Sequence, residues 1–547
     1  MARILNLFIV LLEIIAFSKS IKWHSLKKNF VYYTQIANCM TFISSLLLVI
    51  FGGNAFVEVL RFLSVCLLIM TFLVTACVLV PMTRDPKGLL FSGSGLFHHL
   101  IIPIISTLTY FFLEKRASII WIWLPIVFTL IYGLTMLYLN YTKRVEGPYP
   151  FFMIRSLGAR LTTLWMVGLM VVMSVISLLV GYHKPLKTNV KYIFVHGLSG
   201  WGSYDLQYEF IPYWGTTSGD VIRYLNEQGY ESYAASVDPK GSAWDRACEL
   251  YAQLTGTRVD YGKAHSEKAG HERYGRDFSK DPLMEDFENS EFVLIGHSFG
   301  GATIRLFSEI LRNGSAEEIE NTDPDDLSDF FKGGSGEGML ALVTLAAPTN
   351  GTTAYDLYED PSYDINEIYV PQEYIEKSSL MSNVSTPAVY DGREQWDYAA
   401  YDMHIDNALA LNDTITTFDD VYYFAYPCSS TVINDNGEVE PDPDITESIF
   451  FKGSIYMSRY TGTTAGGFTI DESWQENDGL VNTVSAGAPI GQPWAEYDST
   501  KATEPGVWNV MPTVRGDHMS LQGGLTKRVN VKPFYLELAE MLSSLSR

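Results

Sequence analysis

Cysteine is scarce in this chain, at five among 547 residues. Cys39, Cys66 and Cys77 fall in apolar stretches, which leaves Cys248 and Cys428 for the rest. Two thiols exclude a disulfide framework, although one bridge between them stays open. Carboxylates are scarce at one end only. Residues 1–183 hold five Asp and Glu against 14 Lys and Arg, whereas the remainder holds 57 against 25. The acidic part lacks the basic surface that nucleic acid requires, so such a partner is excluded. No internal repeat is present, and one ordinary domain is too few for this length.

What residues 1–183 do have is long apolar runs. Six stand out, at 4–17, 30–51, 57–80, 96–112, 118–138 and 161–180. Most approach the roughly 20 residues that cross a bilayer as a helix. The first is short and contains Glu13, so a signal peptide is the rival reading there. No small-residue cleavage site follows it and five further runs do, which favours a retained helix. The expectation is an all-α transmembrane domain of about six helices over 1–183, then a second domain over 184–547. Basic residues in the short loops orient it. Ten fall on one side: Lys19, Lys22, Lys27, Lys28, Arg84, Lys87, Lys143, Arg144, Arg155 and Arg160. Seven fall on the other: Arg3, Arg61, Lys115, Arg116, Lys184, Lys187 and Lys191. That bias places the N-terminus and the acidic half outside the cell.

Beyond the linker HKPLK at 183–187 the pattern changes to short apolar runs with mixed segments between them. Strands are expected at Tyr192–Val195, Phe292–Ile295, Leu340–Leu345 and Val421–Tyr426, with helices at 220–228 and about 301–312. Buried strands alternating with helices predict an α/β sheet of mostly parallel strands. The stretch 313–338, rich in Gly, Ser and acidic residues, reads as an exposed excursion.

One segment carries chemistry. Residues 292–302 read FVLIGHSFGGA, a G-x-S-x-G pattern between a strand and a helix. The pattern alone is weak, and a serine in a tight structural turn is the plain alternative. The flanks strengthen it, because a sharp strand-to-helix turn lifts the Ser298 hydroxyl above the sheet edge. The helix start also supplies backbone N–H groups that can stabilise an oxyanion. A serine nucleophile needs a base and the base needs an orienting acid. Only His404 and His518 follow Ser298. His518 lies in the polar, glycine-containing loop RGDHMSLQGG, whereas His404 sits in what reads as an ordinary helix. For the acid, Asp478 lies in a loop ahead of the histidine; Asp517 adjoins His518 but would face away from its imidazole.

Several segments together resemble the zinc-containing bacterial lipases of the staphylococcal and thermophilic bacillus type. They are HGLSGWGSYD (196–205), WDRACELYAQLTGTRVDYGKAHSEKAGHERYGR (244–276), GHSFGG (296–301), AAPTNGTT (346–353), QENDGLVNTVS (475–485) and GVWNVMPTVRGDH (506–518). The resemblance runs from about 190 to 547 and implies an α/β-hydrolase fold. It implies a triad of Ser298, Asp478 and His518, and oxyanion donors at the N–H groups of Phe299 and Leu198. The family usually has Phe where Leu198 stands; the donor is main chain, so Leu preserves it. The resemblance also implies a structural zinc held by Asp245, His265, His271 and Glu394. Two imidazoles and two carboxylates make a closed four-ligand shell.

Two features of the family are missing. Its calcium site places a Glu two residues after the catalytic histidine and an Asp-Pro beyond, but here His518 is followed by Met519-Ser520 and LQGGLT with no carboxylate. Calcium needs several charged oxygen ligands, so its absence is expected. Between Thr353 and Arg393, where the family has a long apolar lid, the chain is acidic and tyrosine-rich.

The first half shows a fainter likeness. FVYYTQIANCM (30–40), FHHLIIPIISTLTYFFLEK (97–115) and YTKRVEGPYPFF (141–152) resemble a six-helix membrane family of the androgen-inducible hydrolase type. That resemblance implies an intramembrane site at Thr34 with His98 or His99. The whole sequence is thus read as an integral membrane protein whose extracytoplasmic domain is a serine ester hydrolase acting on lipid esters. The alternatives are a non-catalytic lipid sensor or scaffold, and an acyltransferase using the same three residues.

Overall fold

The computed structural model of the chain describes residues 2–21, 31–53, 55–114, 117, 119–147, 149–181, 187–370, 372 and 392–545. The chain divides into two compact units, Met1–His183 and Lys184–Arg547. Lys22, Lys27, Lys28, Lys115, Arg116, Lys184 and residues 371 and 373–391 of the predicted lid lie outside the described residues.

In the first unit each apolar run folds as helix: α1 (Ala2–Ile21), α2 (Tyr33–Phe51), α3 (Ala55–Val74), α4 (Ile102–Leu113), α5 (Trp123–Tyr141) and α6 (Ala159–Gly181). Among the described residues four helices, rather than about six, are long and apolar enough to cross a membrane: Tyr33–Phe51, Phe56–Thr83, Ile120–Tyr141 and Ala159–Gly181. The helix at Phe97–Leu113 is too short, and α1 is interrupted by Asn6, Glu13 and Lys19. Arg61, expected in a loop, is instead fully buried in α3. Its guanidinium donates to both oxygens of Glu114 (2.8 and 3.0 Å) and to Ser45 and Ser106 (3.0 Å each). A buried charge persists only when paired and hydrogen-bonded in this way.

The second unit is built on seven parallel strands: β1 (Lys191–Val195), β2 (Ser232–Ala235), β3 (Phe292–His297), β4 (Met339–Leu345), β5 (Tyr422–Tyr426), β6 (Trp494–Glu496) and β7 (Trp508–Val510). Their order across the sheet is β6-β7-β5-β4-β3-β1-β2. The central strands read as continuous apolar runs because both faces are covered. Side chains alternate between two cores. Ile193, Val195, Phe292 and Leu294 face helices α8 (Ala243–Thr255) and α10 (Gly300–Asn313). Tyr192, Phe194, Val293 and Ile295 face α7 (Val221–Gln228) and α13 (Lys532–Ser543). Each fully buried Val, Leu, Ile or Phe contributes roughly 1.5–3 kcal/mol, so this central layer is the stable platform.

The four predicted strands are present within two residues of their expected ends. Strands β2, β6 and β7 were not expected; they are short, and Trp494 on the outermost strand is largely exposed. The stretch 313–338 is not a simple excursion either. It holds short helices at Ala316–Asn321 and Asp329–Lys332, and Phe330 and Phe331 enter the core.

Candidate active site

At the end of β3 the chain reverses into α10 through Ser298, whose φ of 54° is left-handed. Only a tightly enforced turn holds a serine there. The enforcement is visible at two glycines. A Cβ on Gly296 would lie 2.4 Å from the carbonyl oxygen of Gly300, and one on Gly300 would lie 2.3 Å from that of Val195. Ser298 itself is 7% exposed.

Two residues distant in sequence meet this hydroxyl. His518 Nε2 lies 2.8 Å from Ser298 Oγ, and His518 Nδ1 lies 2.9 Å from Asp478 Oδ2. The other oxygen of Asp478 accepts the N–H groups of Leu480 (3.0 Å) and Val481 (2.7 Å), which fixes the carboxylate plane. The main chains are joined as well, since His518 N–H donates to the Asp478 carbonyl at 2.8 Å. Asp517 faces away, accepting the N–H of Glu447 at 2.7 Å. His404 precedes a helix and faces Asp356 and Glu359 instead. Serine, imidazole and carboxylate therefore form one hydrogen-bonded line, a geometry suited to moving a proton off the hydroxyl.

After β1 the chain passes Ser298 at Gly197, where a Cβ would lie 2.6 Å from that of the serine. The Gly197 carbonyl accepts the His196 Nδ1–H at 2.8 Å, because His196 Nε2 is already the acceptor for Val237 N–H (3.2 Å). Arg246, fully buried on α8, donates to the carbonyls of His196 and Gly197, and its guanidinium carbon lies 5.0 Å from the Phe299 ring centre. Burial pulls the Arg246 pKa down to about 10, and nearby carboxylates only partly oppose that. Among the described residues, the N–H groups of Leu198 and Phe299 donate to no protein acceptor.

Sequence reasoning missed His297, adjacent to the serine. Its Nε2 donates to the carbonyl of His518 (2.8 Å), so its Nδ1 accepts from the Tyr213 hydroxyl (2.7 Å). The phenol oxygen in turn accepts the Gly197 N–H (3.1 Å). Burial, reinforced by the neighbouring His518, lowers the His297 pKa to about 3. One neutral imidazole thus ties the histidine loop to the Gly197 loop. A histidine inside a nucleophile turn was the only sign of it in the sequence.

A second cluster lies at the start of α8. Asp245, His265, His271 and Asp397 each present one ligand atom, all within 4.8 Å of one another. The fourth member corrects the expected Glu394. Glu394 is exposed at the start of a short 3-10 turn, Gln395–Asp397, and that turn carries Asp397 inward to complete burial. His265 Nε2 lies 3.2 Å from Asp245 and 3.1 Å from Asp397; His271 Nε2 lies 3.7 and 3.3 Å from the same two. Asp245 Oδ1, His271 Nε2 and Asp397 Oδ2 make no hydrogen bond although buried. Unpaired buried donors and acceptors facing one point fit a divalent metal. Without an ion, burial would depress His265, but the facing carboxylates of Asp245 and Asp397 lift it to about 9. Ser242 donates to Asp397 at 2.7 Å, and Glu318 accepts the N–H groups of Ala264 (3.1 Å) and His265 (2.7 Å). Neither partner was expected from sequence.

The proposed membrane residues are buried or partly so, but in separate pairs. Thr34 faces the Tyr149 hydroxyl (3.4 Å) and His99 Nδ1 faces Thr75 (2.9 Å). His98 lies 3.3 Å from Gln35 and 3.6 Å from Glu13. Among the described residues no hydrogen bond joins Thr34 to either histidine.

The chain is similar to known proteins over its second unit. A family model described as "Lipase-like, C-terminal domain" matches residues 188–396 and 372–545, leaving 1–187 outside. Lipase 2 of Staphylococcus aureus is 32% identical over 373 residues, covering 62% of this chain and 52% of its own. The chain thus spans about half the length of the curated relatives it matches. EstA from Clostridium botulinum aligns with a TM-score of 0.56 at 31% identity, over 66% of this chain and 90% of that one. Staphylococcus hyicus lipase aligns at 0.54 and 29%, over 66% and 97%.

Proposed function

Because the chain belongs to the family of lipase-like, C-terminal domains, we propose that it is a membrane-tethered serine hydrolase of lipid carboxylic esters. The observation that carries this reading is the unbroken line Ser298–His518–Asp478, with contacts of 2.8 and 2.9 Å. Ser298 Oγ attacks the ester carbonyl while His518 Nε2 takes its proton; Asp478 steadies the imidazolium that forms. The oxyanion is held by the N–H groups of Leu198 and Phe299, which make no other protein contact among the described residues. Collapse breaks the ester bond, His518 returns the proton to the departing alkoxide, and an acyl-serine remains. Water, activated by the same imidazole, then releases the acid.

Zinc is the metal that two imidazoles and two carboxylates in a closed shell suit best. Asp245, His265, His271 and Asp397 would hold it, and its contribution is structural, pinning the segment 262–276 to α8. The first unit serves as anchor. The four long apolar helices support membrane insertion, and on this reading the acidic unit lies outside the cell.

A fluorophosphonate probe tests the central step. Wild type should be labelled on serine and should hydrolyse lipid esters, and Ser298→Ala should lose both, by roughly 10⁶-fold in turnover. Labelling that persists in Ser298→Ala would remove the nucleophile from this account. Labelling without turnover on any ester would favour a lipid sensor, and acyl transfer to added alcohols in preference to water would favour an acyltransferase.

A further inference from the structure

The loop that carries His518 is gripped from both sides by one residue that no part of the chemistry above uses. Glu447 is 1% exposed. One of its carboxylate oxygens accepts three consecutive backbone N–H groups, those of Leu525 (3.0 Å), Thr526 (2.8 Å) and Lys527 (2.7 Å). The other accepts the Thr526 hydroxyl. Successive N–H groups converging on one point form a nest that selects an anion. Here the anion is supplied from within the chain.

The opposite side of the histidine is tied to the same residue through its main chain. Glu447 N–H donates to Asp517 Oδ2 at 2.7 Å, and Asp517 Oδ1 accepts from Ser520 Oγ (2.8 Å) and Met519 N–H (3.1 Å). Residue 447 therefore holds the chain one position before His518 and again seven to nine positions after it. It also opens the segment that leads into α12 (Phe451–Arg459). From that helix Ser454 Oγ donates to Asn477 Oδ1 at 2.7 Å, and Asn477 Nδ2 donates to Ser458 Oγ at 3.0 Å. Asn477 adjoins Asp478. One short segment thus sets the position of both the acid and the base.

We propose that Glu447 is the positioning residue for His518, a carboxylate that braces the base loop without a metal ion. The proposal rests on the serine-hydrolase reading. It adds that the distance from imidazole to hydroxyl is set by this carboxylate, and that the loop needs no external cation to be ordered. Gln at 447 keeps the shape but puts a neutral amide oxygen where a carboxylate accepted three N–H groups and turns its NH2 to the Thr526 hydroxyl, so the grip weakens.

The test uses the full-length protein as wild type, Glu447→Gln and Thr526→Val, with a soluble short-chain ester. Glu447→Gln should lose about 10²-fold in kcat at unchanged KM, the size expected of a displaced catalytic group. Fluorophosphonate labelling of Ser298 should slow in parallel. Thr526→Val, which removes one contact, should show a smaller loss of the same kind, and it decides the matter if Glu447→Gln fails to fold. Hydrogen exchange of the amides of 525–527 should quicken in Glu447→Gln, a readout independent of turnover. Wild-type kcat in Glu447→Gln would overturn the proposal, as would unchanged exchange at those amides. A wild type that is neither labelled nor active would instead sink the hydrolase reading, while the exchange experiment would still judge the brace.

Discussion

A trans peptide points its carbonyl and its N–H in opposite directions. Whatever grips the Gly197 carbonyl therefore also aims the N–H of Leu198. Three groups grip it, the His196 Nδ1–H, the Gly200 N–H and the guanidinium of Arg246. On the proposed mechanism Leu198 needs no particular side chain, because its useful atom belongs to the main chain and is aimed from behind. The buried guanidinium also places positive charge behind the site where the proposed mechanism would develop an oxyanion. Arg246→Lys keeps the charge but reaches fewer carbonyls. It should lower kcat by at most about 10²-fold at unchanged KM, the loss seen when an oxyanion donor is removed outright. Steady-state kinetics on a soluble ester would check it, and a rise in KM alone would show that Arg246 serves binding instead.

At the scale of elements, helix α8 joins two sites that sequence treats separately. Asp245 and Arg246 are neighbours on its first turn, so a metal that anchors Asp245 also anchors the residue aiming the oxyanion donor. The ligand correction is directly measurable. Metal analysis of purified protein should find zinc lost in Asp397→Asn and retained in Glu394→Gln. Ser242→Ala, which removes the hydrogen bond to Asp397, should weaken zinc about 10-fold, as loss of a supporting contact commonly does. The brace at the start of α12 makes a pH prediction. Burial acts to raise the Glu447 pKa, but the Thr526 hydroxyl and the three N–H groups outweigh it and hold the carboxyl below its ordinary 4.5. A depressed carboxyl contributes stability above its unfolded pKa and loses it as pH falls through the folded one. Thermal melts of wild type should therefore decline below about pH 4.5 more steeply than those of Glu447→Gln. Asp517, whose pKa is raised by burial and further by the Glu447 charge, acts in the opposite sense, less so once Glu447 is replaced, and so offsets part of the difference.

For the whole molecule, the contrast between a basic apolar half and an acidic polar half is the governing fact. It separates two solvents before any fold is considered, and the chain divides into units at His183 and Lys184. The loop charges, read over six helices, predict a topology that can be tested. Protease added to intact cells carrying the protein should remove the 184–547 unit and leave the apolar helices in the membrane fraction. Full protection of that unit until the cells are opened would reverse the orientation.

Much of this was legible because it depends on local pattern. Apolar runs marked the helices of the first unit and the central strands of the second, since a strand buried on both faces has no polar residues to disguise it. The strand–GHSFG–helix turn marked Ser298, because Gly296 answers to backbone crowding only four residues away. Short edge strands carry too little apolar sequence to be seen. What only the tertiary structure decided were contacts between segments far apart in the chain. The inward turn that selects Asp397 over Glu394 is one. The burial of Arg61 against Glu114 is another. The convergence of residues 525–527 and Asp517 on Glu447 is a third. Each depends on where the backbone returns after long excursions, and a carboxylate's sequence neighbours say little about which distant N–H groups will close around it.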